Sequence, residues 1–168
     1  DTPADAWVVG KGADSFFTPS LVFNTTLVNL QQTPGVRKVS TLLGRPMKIC
    51  SGDQGGDSYI IGYNLTGIGG PVHIKEGRGD PAVGEIVIDD VLARTSGLGV
   101  GDTLQAGLRT LKIVGIANRC NLGLAQRAGV NIEEARILLG TVGFVNFALI
   151  QASPGASNST CSGQSIAI

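Results

Sequence analysis

Apolar residues in this chain come in short bursts, more often with a two-residue beat than in helical stripes. Trp7, Val8 and Val9 read as a first short strand, and "FFTPSL" as a loop after it. Asn24 is placed to cap a helix that runs to about Thr33, with Leu27, Leu30 and Phe23 toward one face. Pro34 cannot continue that helix, and Gly35 supplies the turn out of it. Val36 to Leu43 and Pro46 to Ile49 then read as two strands. "SGDQGGD" is a hairpin-type turn that leads into the strand "SYIIGYNL". Residues 66–84, "TGIGGPVHIKEGRGDPAVG", are dense in glycine and proline. They predict an exposed connection with a short extended piece near Val72 to Ile74.

The clearest grammar lies between Glu85 and Ala117. Glu85 to Ile88 predicts a buried strand, and Asp89 caps a short helix with Asp90 in its first turn, where the helix dipole favours negative charge. Gly97 is placed as the left-handed residue that stops this helix, with Leu98 as its hydrophobic follower. "GVGD" is a tight turn, and Thr103–Ala106 with Thr110–Ala117 predict a hairpin about "GLR". Further on, Asn131 and Glu134 have the spacing of a capping box. Ile132, Ala135 and Leu139 share a face of the helix it opens, and Gly140 stops it. Phe144 to Gln151 is the last strand, with Val145, Phe147 and Leu149 alternating against Asn146 and Ala148. Residues 157–168 carry no period and are expected to be a loose tail.

Strands thus outnumber helices, and the helices are short and spaced apart. The class is α+β: a mixed β-sheet with short helices, plus an inserted β-rich lobe at about residues 46–120. The lobe interrupts a strand–helix–strand start and a helix–strand end, and these two end segments are expected to close one sheet.

Composition narrows the function. Aromatics are only 5% of the chain, so the core must be built from Val, Ile, Leu and Ala. Thirteen basic and thirteen acidic residues cancel without a basic stripe, which speaks against nucleic acid as a partner. No apolar run reaches the ~20 residues a spanning helix needs. The chain does not start with methionine, and is expected to be a piece or processed product of a longer protein. A mean hydropathy of +0.22 hints at surface that meets something else.

Candidate chemistry is sparse. His73 is the sole histidine, and no nucleophile motif accompanies it, so an incidental surface histidine is the expectation. Asp53, Asp57, Asp80, Asp89, Asp90 and Asp102 are explained by turn and cap duty rather than by calcium. "GIGG" and "GLGVGD" lack the context of a dinucleotide fingerprint or a phosphate loop. Cys50, Cys120 and Cys161 read as three unrelated small apolar side chains; a Cys50–Cys120 disulfide stays open for an oxidising compartment. No catalytic residue, metal site or cofactor is assigned. "RGD" at 78–80 and the sequons at Asn24, Asn64 and Asn158 would matter only to a secreted adhesion domain.

"GEIVIDDVLARTSGLGVGDTLQAGLRTLKIVGIA" resembles a segment of the extracytoplasmic domains of FtsX/MacB-like ABC-transporter permeases. Gly84, Leu92, Ala93, Gly97, Leu98, Gly101, Asp102, Val114 and Gly115 carry the match. "ADAWVVGKG" with "TPGVRKVSTLL" looks like the family's start, and "EEARILLG…VNFALIQASPGA" like its closing helix and strand, so the resemblance covers residues 5–156. It implies a porter-like extracytoplasmic domain in residues 1–156 of a bacterial membrane protein, not an enzyme. Such a domain recognises a substrate or partner and transmits ATP-driven motion. The implied partners are an ATP-binding subunit, reached through a membrane part, and a periplasmic adaptor or substrate protein. The full transporter is implied to be a dimer. The long segment 66–84 is then the expected docking element, through Ile68, Val72, His73 and Ile74. Since "GVGDTL" before a strand also occurs in small β-barrels, a barrel-containing ligand-binding domain or enzyme is the alternative.

Overall fold

The computed structural model describes residues 4–10, 21–52, 54–71, 73–118, 127–153 and 165–167. The strands are β1 (Ala6–Val9), β2 (Val22–Phe23), β3 (Val36–Ser51), β4 (Gln54–Tyr63), β5 (Ile74–Gly77) and β6 (Glu85–Asp89), followed by β7 (Thr103–Ala106), β8 (Arg109–Ala117), β9 (Arg127–Asn131), β10 (Phe144–Val145), β11 (Phe147–Ala152) and β12 (Ser165–Ala167). The helices are α1 (Asn24–Gln32), α2 (Asp90–Ser96) and α3 (Ile132–Leu139). The class is α+β with a mixed sheet, as the sequence predicts.

The two strands expected at Val36–Leu43 and Pro46–Ile49 are one strand of 16 residues, β3. At a rise of about 3.3 Å per residue it is roughly 50 Å long, and it belongs to two bodies. Its first half pairs antiparallel with β11, from Val36 to Leu42. Its second half pairs antiparallel with β4, from Leu42 to Ser51, and meets β7 at Ile49 and Cys50.

The first body is a wing. β1 lies between β11, antiparallel, and β12, parallel, so the start and the end of the chain do close one sheet. Of the segment expected to be a loose tail, residues 165–167 are described, and they form this edge strand. The expected strand Phe144–Gln151 is broken at Asn146, which leaves the ladder to bond β3: its N–H donates to the Leu42 carbonyl, and its Oδ1 accepts from Gly44 N at 2.8 Å. Helix α1 packs Leu27 against Val8, Val22, Val145 and Ala148, but its first turn has no side-chain cap, and Asn24 lies inside the helix.

The second body is a barrel. β3 pairs β4, β4 pairs β9, β9 pairs β6, β6 pairs β8, β8 pairs β7, and β7 returns to β3. Closure leaves little edge to protect, and a barrel this narrow is filled by its own side chains. Ile60, Ile86, Ile88, Leu111, Ile113 and Val130 are all fully buried in it. The barrel takes in β9 and α3, so the β-rich lobe draws on residues as far as Leu139.

Its helices follow the expected local chemistry. Asp89 Oδ1 accepts from Val91 N at 2.7 Å at the start of α2. Gly97 is left-handed at φ 68°, and Leu98 N donates to the Ala93 carbonyl and packs its side chain on the barrel core. Asn131 caps α3 by accepting from Glu133 N at 3.0 Å. Helix α3 lies so close to β4 that a Cβ at Gly62 would stand 2.2 Å from that of Ala135.

Candidate functional site

The segment expected to project lies flat instead. Ile68 is buried with Leu42, Tyr63 and Leu149, and its N–H donates to the buried Ser40 hydroxyl at 2.8 Å. The Tyr63 hydroxyl donates to the Gly79 carbonyl at 2.8 Å. Ile74 is half-buried against Val87, Val114 and Ala117 at the start of β5, which pairs with β8 on the outside of the barrel. His73 is exposed, and its carbonyl accepts from Asn118 N at 2.8 Å. Val72 lies outside the described residues. The physical reason for the difference is that Ile68 outweighs the glycines around it: an apolar side chain with a buried hydroxyl at its backbone pulls the strap onto the sheet. Of the candidate docking residues that are described, His73 is exposed, Ile74 half-buried and Ile68 buried.

Beneath the strap a cleft of about 140 Å³ is lined by Tyr63, Pro71, His73, Asn118 and Arg127. The "RGD" tripeptide stands beside it, turned upon itself: the Arg78 guanidinium bonds the Asp80 carbonyl and pairs with Glu85. Ala82 N and then Arg78 hold the Glu85 carboxyl below the ordinary carboxylate range. That arrangement presents no free Arg–Gly–Asp epitope. Of the disulfide question, Cys50 is part-exposed on β3 and free, and Cys120 lies outside the described residues.

A larger cleft, about 370 Å³, opens where wing meets barrel. Leu43 to Pro46 of β3, Tyr59 of β4, Leu139 and Thr141 at the end of α3, and Phe144 and Phe147 line it. Burial raises the Tyr59 phenol above its ordinary value, and the nearby Arg127 charge offsets part of that.

The strongest buried polar group was not read as such from the sequence. Glu134, placed there as the second half of a capping box, is fully buried and points into the barrel wall. It takes a two-pronged ion pair from Arg109, at 2.9 Å on each oxygen, and a third hydrogen bond from Gly84 N at 2.7 Å. Those bonds push the Arg109 guanidinium up. One carboxylate so ties α3, the first residue of β8 and the turn before β6. The only hint in the sequence is an acidic residue flanked by Ile132, Ala135 and Leu138.

With this geometry in place, comparison with known proteins is informative. No protein-family model matches the chain. It is 33% identical over 119 residues to an uncharacterised ABC transporter permease of Mycobacterium bovis, and equally so to one of Mycobacterium tuberculosis. That match covers 67% of this chain and 31% of the relative, so the chain spans about a third of the length of the curated relatives it matches. Among solved structures, the periplasmic region of MacB from Actinobacillus actinomycetemcomitans superposes with a TM-score of 0.70 at 12% identity, over 91% of this chain and 76% of that one. The extracellular domain of the ABC-type transporter YknZ, from Gram-positive bacteria, gives 0.67 at 14%, over 89% and 83%. The fold is therefore that of the extracytoplasmic domains of MacB- and YknZ-type transporters, and the sequence resembles ABC transporter permeases.

Proposed function

We propose that this chain is the extracytoplasmic domain of an ABC transporter permease on the outer side of a bacterial cell membrane, and that it relays ATP-driven motion to a substrate or partner. It is not an enzyme in this reading. The observation that carries it is β3. One continuous strand is anchored by β11 at one end and built into a closed barrel at the other, so a displacement of the wing moves the barrel with it. The entry of β1 and the exit of β11 are tied at one point: Asp5 N donates to the Ile150 carbonyl at 2.9 Å, and Asp5 Oδ2 accepts from Ala152 N at 2.8 Å. Membrane anchors leading to the wing would drive its sheet as one piece. No helix among the described residues is long and apolar enough to cross a membrane, so in this reading the anchors belong to other parts of the permease. The ATP-binding subunit works on those anchors, in a transporter holding two copies of the domain. A periplasmic adaptor or substrate protein would meet the exposed His73, Lys75 and Glu76 rather than the buried Ile68.

The test uses the full-length permease assembled with its ATP-binding subunit. Cysteines 50, 120 and 161 are replaced by serine, and Leu108, fully exposed in the turn between β7 and β8, becomes the single labelled position through Leu108→Cys. An impermeant maleimide should label intact spheroplasts, and spin labels on the two copies should change separation between nucleotide-free and ATP-bound states. Labelling only after lysis would overturn the location. A separation that nucleotide leaves unchanged would overturn the relay.

A further inference from the structure

The junction cleft is an interruption in a sheet. On one side β3 pairs with β11 up to Leu42 and with β7 from Ile49, so residues 43–48 have an open edge there. An open edge ordinarily invites another strand, because its unpaired N–H and C=O groups repeat in register. This one cannot take a strand. The backbone alternates sides, and the groups facing the opening belong to Gly44, Pro46 and Lys48. The Gly44 N–H already donates to Asn146 Oδ1 at 2.8 Å, and Pro46 has no N–H. Only the Lys48 N–H, past the cleft's own wall, is left as a donor, and one donor does not make a ladder for an extended peptide.

What the cleft does offer is apolar wall and one charge. Leu43, Leu139, Phe144 and Phe147 supply the wall. Arg45 is exposed at the same opening and makes no ion pair among the described residues. The Thr141 hydroxyl is shut off from solvent in the lining and has no hydrogen-bond partner among the described residues. Such a buried hydroxyl is unfavourable until a hydrogen-bond partner reaches it. Concave sites with apolar walls and a few convergent polar groups are the usual form of a small-ligand site. A guanidinium matches phosphate and carboxylate in shape as well as charge.

The geometry points to a binding site for a single-chain anionic amphiphile, with the alkyl chain against Phe144 and Phe147 and the phosphate or carboxylate head on Arg45. The site spans wing and barrel, so an occupant touches both bodies. Its meaning as a substrate site rests on the transporter reading above; its chemistry does not.

Calorimetric titration of the chain with dodecyl phosphate, below micelle-forming concentration, tests it. Binding should saturate at one molecule per chain. It should be about ten-fold or more tighter than for dodecyltrimethylammonium, as one charged hydrogen-bond pair implies. Arg45→Gln, an exposed substitution, should abolish that preference while the melting temperature holds. Thr141→Trp, which fills the cleft, should remove binding of both probes. The proposal is overturned if dodecyl phosphate does not saturate, if both probes bind alike, or if Arg45→Gln binds as the parent does. It is also overturned if an extended apolar peptide displaces dodecyl phosphate, which would make the cleft a peptide site. None of these outcomes bears on the labelling of Leu108→Cys, so the two readings fail separately.

Discussion

Barrel and wing are built from the same aliphatic alphabet but are held differently. The barrel closes on itself and buries Ile60, Ile86, Ile113 and Val130 completely, with helices α2 and α3 fixed by side-chain caps and left-handed glycines. The wing is an open sheet, and α1 lies on it with no side-chain cap, with Phe23 before it and Val28 within it about half exposed. The difference teaches where rigidity sits. The barrel is the more tightly constrained of the two bodies. The wing has fewer interlocking constraints.

The comparison can be tested by substitution, starting with the largest expected effect. Ile113→Ala in the barrel should lower stability by about 2–5 kcal/mol, as large-to-small changes in a dense core do, while Leu27→Ala in the wing should lose less than about 2 kcal/mol. Urea denaturation of both variants checks this, and equal losses would erase the distinction. Glu134→Gln keeps the shape of the barrel's clamp and removes its charge. A loss of about 2 kcal/mol is expected, the range of a hydrogen bond to a charged group, and Arg109→Gln should add little on top because both act on one interaction. Additive losses would show that the clamp is not a unit. The smallest contrast is at the helix starts. Asp89→Ala should lose about 1 kcal/mol through its cap on Val91, whereas Asn24→Ala should stay within about 0.5 kcal/mol, since Asn24 caps nothing.

That last pair also shows what was legible in the sequence. Where a signal is local and has a mechanism, it held: Asp89 as cap, Gly97 and Gly140 as left-handed stops, Asn131 as cap of α3. Asn24 failed because its context allowed the same reading while the chain entered the helix one residue earlier, from the two-stranded ribbon of β2 and β10. The closure of the barrel could not be read, because it depends on β9. "RAGVN" alternates, but only through one alanine and one valine about a glycine, too little for a strand signal, and it becomes a strand because β4 and β6 stand on either side of it. Glu134 was misassigned for a related reason. Capping-box spacing is a property of four residues, and its real partner, Arg109, is 25 positions away. The strap was misjudged by composition: glycine and proline suggest exposure, but one isoleucine and the Ser40 hydroxyl decide where it lies.

The meeting of Asp5 and Ala152 has a meaning at the level of chain entropy. Bringing two distant points of a chain together costs more the longer the loop between them. Asp5 accepts from the Ala152 N–H at 2.8 Å, so the wing closes on itself around everything in between, barrel included. The cost of that long closure is met once, by the ladder of β1 on β11, and every shorter loop inside it is then closed at a lower cost.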